Sequence, residues 1–222
     1  MVMIERFVAP VTDSIVGAVL ELVAENVTSL NMTHPPASHP FFSSYRKALL
    51  LEVGQYLNMR DPHRIEVYTA IRDGKIVGFA LCGLPLNGNL EECGIYYMAV
   101  GKGHRCQGVM GRMVKAITDR YAHVALSCDV SLVPIYERYG FKCHELRHHQ
   151  IVMYFGCPVE ETPVLNVSQL REHPDVLDEQ NIAAHKFGRQ KVDRANKDLE
   201  LKLKTAKQNA KRFFEDRVRG RS

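Results

Sequence analysis

A chain of 222 residues with 45% hydrophobic and 24% charged content, and 29 Lys+Arg against 25 Asp+Glu, has the make-up of an ordinary folded protein. That length can bury a core that stands without disulfide or metal support, and no apolar run approaches the ~20 residues needed to cross a bilayer. Integral membrane and collagen-like classes are excluded.

In chain order, residues 3–8 read as a short strand, and Thr12 or Asp13 can cap a helix through about Asn26 with Ile15, Val19, Leu22 and Val23 as its apolar stripe. His34-Pro35-Pro36 through Pro40 must be loop, because proline lacks a donor and restricts the residue before it. Ser43 or Ser44 opens a second helix containing Ala48, Leu51 and Tyr56. Two β-rich runs, 65–72 and 75–84, flank Asp73-Gly74, a strong hairpin signal. Gly94 to Val100 reads as a buried strand, followed by a Gly-rich turn and an amphipathic helix with Val109, Met113, Val114 and Ile117 inward. Residues 122–128 form a further strand, 131–139 a short helix and 140–155 two strands. This hairpin, then strand–helix–strand–helix–strand, is α/β.

Residues 1–164 carry 15 Lys+Arg and 16 Asp+Glu, whereas 165–222 carry 14 and 9, so the positive excess lies entirely in the last quarter. The organisation expected is a body over 1–157, a linker over 158–174 centred on Cys157 to Pro163, and a basic helical tail over 175–222 capped by Asp175. Along the tail Val192, Ala195, Leu199, Leu203, Ala206, Ala210 and Phe213 recur at spacings of three and four, a narrow seam like that of a coiled coil. Such a helix is marginal alone and needs a partner surface: the body, another copy or a larger assembly. The last two are the expected partners, and truncation after about residue 164 is expected to leave a folded body.

Six widely spaced cysteines without a C-x-x-C pair fit free thiols in a reducing compartment. The opening residues do not follow the charged, apolar, small-residue order of a signal peptide, so a cytoplasmic setting is expected. Cys143, His144, His148, His149 and Cys157 match no standard tetrahedral spacing, and no metal is expected.

The segment that carries chemistry runs from Val100 through Gly101-Lys102-Gly103-His104-Arg105-Cys106-Gln107-Gly108-Val109-Met110-Gly111 to Arg112. A Gly-rich turn opening a helix offers bare N–H groups at the positive end of the helix dipole, where phosphates bind. No Walker string is present, and the dinucleotide pattern starting at Gly101 would need glycine where Cys106 stands. Arg105-x-x-Gly108-x-Met110 instead resembles the [QR]-x-x-G-x-[GA] acyl-CoA loop of the GNAT N-acetyltransferase superfamily. Ile135-Tyr136-Glu137-Arg138-Tyr139-Gly140-Phe141 is similar to that superfamily's later L-Y-E-[KR]-x-G-F. The resemblance departs from pattern at Met110, in place of Gly or Ala, and at Asp129, often Asn.

The resemblance implies a mixed central sheet flanked by helices, acetyl-CoA as co-substrate, and direct acetyl transfer to a primary amine carried by a small molecule or a protein. It assigns the strand end at Met98 and Val100, the amides of Gln107, Gly108, Val109, Met110 and Gly111, the charge of Arg105, and Asp129 to cofactor binding. Tyr136 matches the general acid. For the base, Glu91, Glu92, Tyr96 and Tyr97 are near the central strand, and Glu92 is the first choice. Cys106 and Cys128 lack an evident base partner and are expected to be structural. Acceptor choice falls to residues 28–62, with His34, His39, Phe41 and Phe42, and to 85–93. Two further classes are a weakly active or inactive acetyltransferase-like body built into an assembly, as in a bacteriophage virion, and a nucleic-acid module using Arg217, Arg219 and Arg221.

Overall fold

The computed structural model describes residues 1–30, 35–60, 62, 64–160, 162, 164–165 and 167–219. His34, Glu161, Pro163 and Arg221, named above for the acceptor region, the linker and the terminus, lie outside the described residues. The chain forms β1 (Met3–Val8), α1 (Asp13–Leu30), α2 (Phe42–Leu57), β2 (Ile65–Arg72), β3 (Lys75–Gly83) and β4 (Glu92–Val100). A 3-10 turn at Lys102–His104 leads to α3 (Val109–Thr118), then β5 (His123–Cys128), a second 3-10 turn (Val130–Leu132) and α4 (Val133–Glu137). β6 (Lys142–Arg147), β7 (Gln150–Phe155), α5 (Val167–Arg171), α6 (Pro174–Phe187) and α7 (Arg189–Arg219) complete it.

All seven strands make one sheet in the order β1-β2-β3-β4-β5-β7-β6, parallel only between β4 and β5. This is the expected mixed α/β sheet flanked by helices. On one face α1 and α2 bury Val19, Val23, Leu49 and Val53 against Val67, Phe79 and Leu81. On the other, the expected inward residues of α3 join Tyr136 and Phe141 around Val124 and Met153. Asp73 and Gly74 both take positive φ, 50° and 73°, so the β2–β3 hairpin turns as its dipeptide dictates.

Three local expectations are corrected. α2 starts at Phe42 rather than Ser43 or Ser44, because the Ser44 hydroxyl donates to the Phe41 carbonyl at 2.9 Å instead of capping. The stretch 131–139 is a 3-10 turn followed by five helical residues. His148 and His149 form the β6–β7 turn, with His148 at φ 57°, rather than lying in a strand.

The tail differs most. It is two helices, not one, because Gly188 at φ 75° ends α6. The N-cap is His173, whose Nδ1 accepts from the Asp175 N–H at 3.2 Å, with Pro174 preset at the first helical position. Asp175 pairs instead with Lys47 of α2 at 2.7 Å. Where another copy or a larger assembly was expected as the tail's partner, the seam meets the chain's own body. Val176, Val192, Leu199 and Ala210 are buried, Phe213 and Phe214 pack on the α3–α4 core, and Arg217 forms a two-pronged ion pair with Glu137 of α4. The body exposes apolar surface between α2 and the sheet end, and a seam too narrow to stand alone finds its cover there.

The segment joining body to tail is equally tied down. Glu160 N–H donates to the Glu92 carboxylate at 3.0 Å, and Leu165 N–H to the Tyr56 hydroxyl at 2.9 Å. Thr162 lies on Gly94, where any side chain would meet its hydroxyl within 2.9 Å. Glu160, Thr162 and Leu165 therefore strap the chain across β4 and onto α2.

Candidate active site

β4 and β5 are paired from Glu92–His123 only as far as Ile95–Leu126, although β4 runs on to Val100. Beyond that point the strands part, leaving the β5-facing edge of Tyr97 to Val100 without a strand partner. A register shift at the same place, where Leu81 faces Tyr97 and Cys82 faces Ile95, inserts Tyr96 as an extra residue. A bulge breaks the alternation of side chains. Tyr96 and Tyr97 consequently both pack on the α1–α2 face, while Met98 packs on the α3 face.

At the end of β4 the chain enters the Gly-rich turn. α1 anchors it: the Glu25 carboxylate accepts from Lys102 N–H at 2.9 Å, and Asn26 accepts from the Arg105 guanidinium, whose Nε also donates to the Val100 carbonyl at 3.3 Å. Arg72, at the end of β2, donates to the Gln107 side chain, which in turn donates to the Gly103 carbonyl at 3.0 Å. Cys106 and Gly108 both take left-handed backbone, φ 59° and 75°. Within the turn the His104 N–H donates to the Gly101 carbonyl at 2.9 Å, and beyond Cys106 the next amide with a backbone acceptor is that of Arg112, on the Gly108 carbonyl at 3.1 Å. The N–H groups of Gln107, Gly108, Val109, Met110 and Gly111 carry no hydrogen bond among the described residues. They form a cluster of donors at a helix N-terminus in a segment that also carries Lys102, Arg105 and Arg112, which suits a pyrophosphate.

Met110 leans half-buried onto the α3 core rather than into the turn. Gly111 has a separate reason: a side chain there would meet the Tyr139 hydroxyl at 2.3 Å. Asp129 caps the turn before α4, its carboxylate accepting from Ser131 N–H at 2.8 Å, a role that a carboxylate fills as well as an amide.

Tyr136 sits on α4, 8% exposed, with its ring edge-on to Phe141 at 5.7 Å. Burial, then the nearby Cys128, push its phenol above the ordinary range, so it stays protonated at neutral pH. Glu92 is buried at the far end of β4 and occupied by the strap. A carboxylate that the sequence reading passed over, Glu52 of α2, lies closer to the bulge. It is 8% exposed and accepts from the Tyr97 hydroxyl at 2.7 Å. Burial raises its pKa, only partly opposed by that hydrogen bond, and the adjacent Tyr97 phenol is raised by burial and by Glu52 itself. The signal was present: Glu52 interrupts the apolar stripe Leu49, Val53, Tyr56 on a helix face that the fold buries.

The parted strands open into a cavity of about 530 Å³ lined by Gly94 to Tyr97 of β4, Ala125 to Ser127 of β5, Glu52 and Tyr56 of α2, and the strap. His123 is used by the Cys157 N–H, which donates to its Nδ1 at 2.9 Å. Cys82, Cys93, Cys128 and Cys143 are buried free thiols, and Cys106 and Cys157 are exposed ones. Among the described residues no group of three or more His, Cys, Asp or Glu side chains could hold a metal, and no helix is long and apolar enough to cross a membrane.

Comparison with known proteins bears on this geometry. The sequence matches the family described as Acetyltransferase (GNAT) family over residues 26–141, just over half of the chain. No curated protein matches it. Among solved structures, the PaiA N-acetyltransferase from Thermoplasma acidophilum, in complex with coenzyme A, superposes with a TM-score of 0.51 at 11% identity, covering 69% of this chain and 99% of its own. A histone acetyltransferase HPA2 and related acetyltransferase from Corynebacterium glutamicum superposes with a TM-score of 0.50 at 16% identity, covering 70% and 98%. In both, about 30% of this chain is left uncovered.

Proposed function

The chain belongs to the GNAT acetyltransferase family, and from that premise we propose that it moves an acetyl group from acetyl-CoA to a primary amine by direct transfer. The observation that carries this reading is the coincidence of two features on one strand: the parting of β4 from β5 after Ile95, and the cluster of free amides from Gln107 to Gly111 just beyond Val100. The free edge at Met98 and Val100 takes the pantetheine arm in place of a strand. The amides and the charge of Lys102, Arg105 and Arg112 take the pyrophosphate.

The amine nitrogen attacks the thioester carbonyl; a C–N bond forms and the C–S bond breaks. Glu52, rather than Glu92, is the base that receives the proton lost by the amine, directly or through water, since its carboxylate lines the cavity beside the bulge and burial raises its proton affinity. Tyr136 donates its proton to the departing thiolate. Burial supports that role by keeping the phenol protonated across the working pH range.

Two measurements test the assignment. Gly108→Asp places a carboxylate among the pyrophosphate-binding amides; no neighbouring atom obstructs it, but the left-handed backbone is strained by any side chain, so Gly108→Asn serves as the uncharged control with the same strain. Calorimetry is expected to show acetyl-CoA affinity about 10²-fold lower than that of the Asn control, the effect of one charge set directly against the pyrophosphate. Unchanged affinity would move the cofactor elsewhere. Tyr136→Phe removes only a hydroxyl, and kcat is expected to fall by roughly 10- to 10²-fold with thermal stability unaltered. Equal kcat would assign Tyr136 to packing against Phe141.

A further inference from the structure

A second cavity, of about 480 Å³, lies between α2 and the C-terminal helices, outside residues 26–141 on its far side. Its near wall is the face of α2 carrying Phe41, Tyr45 and Leu49. Its far wall is Val176 of α6 with Leu199 and Leu203 of α7. Glu52 lines this chamber as well as the cavity at the parted strands, and it is the one residue common to both linings. Helical spacing explains the arrangement: positions 41, 45, 48, 49 and 52 share one face, so a run of apolar side chains ends on a carboxylate one turn before Tyr56.

The apolar walls are interrupted by Ser44, Gln180 and Asn196, and a desolvated carboxylate at the end of such a chamber is complementary to an ammonium group attached to a mainly apolar body. The volume is that of a small-molecule site. Charge narrows the choice further. Among the described residues Glu52 is the one buried charge in the lining, which matches a single ammonium, whereas Arg171 is exposed. The one other carboxylate in the lining, Glu200, is exposed.

We propose that the chamber between α2 and the C-terminal helices receives the apolar body of the acceptor, so that the substrate is a monoamine on an aromatic or branched aliphatic frame. The C-terminal helices are then the element that selects it. This deepens, and rests on, the acetyl-transfer reading above. In that reading the amine presented at Glu52 faces the thioester, while the rest of the molecule lies among Tyr45, Leu49, Leu199 and Leu203.

The test uses the full chain with three amines, 4-phenylbutylamine, ethanolamine and spermidine, in two readouts: calorimetric binding, and thiol release from acetyl-CoA. Phenylbutylamine is expected to bind at least about tenfold more tightly than either other amine, from the burial of its ring. Asn196→Trp and, separately, Leu203→Trp fill the chamber from α7 and are each expected to weaken that binding about tenfold, with folding checked by circular dichroism. Equal affinities of the wild type for the three amines would overturn the proposal, as would unchanged phenylbutylamine affinity in a folded Trp variant. If neither variant folds, the wild-type comparison decides. Failure of the transfer reading looks different: phenylbutylamine binds, and binding responds to the Trp variants, yet no thiol is released. Failure of the chamber alone shows as thiol release with ethanolamine or spermidine as fast as with phenylbutylamine.

Discussion

Replacing Glu52 with glutamine is expected to lower kcat about 10³-fold while raising, or leaving unchanged, the thermal midpoint at neutral pH. The two halves have one cause. Glu52 is held in a desolvated site with a single hydrogen bond, from Tyr97, and its pKa is raised by burial. A carboxyl whose folded-state pKa exceeds its unfolded value binds its proton more tightly when folded. Folding stability therefore falls as pH rises through the window between the two values, and above it the ionised group costs stability. Glutamine keeps an acceptor for the Tyr97 hydroxyl and removes that cost, but it cannot take a proton from the amine. Wild-type kcat/KM is expected to rise with pH through the raised pKa, and the residual activity of the variant to lose that limb. A variant with near-normal kcat would return the base to another group, with Glu92 next in line. A lowered thermal midpoint would mean that the carboxylate stabilises the fold.

Cutting the chain after residue 164 is expected to destabilise the body outright. Leu170, Val176, Val192 and Leu199 are each buried, and the burial of such a side chain contributes about 1.5–3 kcal/mol. Much of that is offset by the entropy of ordering the tail, which the truncated chain no longer has to meet. The body gains no such offset for the surface it uncovers: the α2 face at Tyr45 and Leu49, and the patch under Phe213 and Phe214. A net loss of about 3 kcal/mol would lower the midpoint by about 10 °C in a chain of this size. Differential scanning calorimetry of the truncated and full chains checks it. A truncated chain melting at the full-length temperature would show the tail to be dispensable for the body.

What the sequence makes legible follows from the range of the physics. Asp73-Gly74, the α3 stripe and the Gly-rich turn are local signals, and each element forms where its residues indicate. Gly188 is a local signal too: inside a stretch that otherwise reads as one helical tail, it marks the break between α6 and α7. The tail's partner is a different matter. The seam says that Leu199 and Ala210 must be covered, but only the fold says by what. Glu52 lies between these cases. Its interruption of an apolar helix face is visible in the sequence, but its pairing with Tyr97, 45 residues away, depends on a bulge at Tyr96 that no local pattern announces.

The strap and the helices after it have a consequence for the order in which the molecule is made. The β4 edge and the amide cluster precede α4 in the chain, and Tyr136 gains its packing partners Phe141 and Met153 once β6 and β7 follow. The second cavity has no far wall until Leu203 follows. At roughly 5–20 residues per second, the stretch from Leu165 to the end of α7 takes a few seconds to synthesise. For that interval the nascent chain carries a finished phosphate-binding turn beside a bare apolar flank on α2.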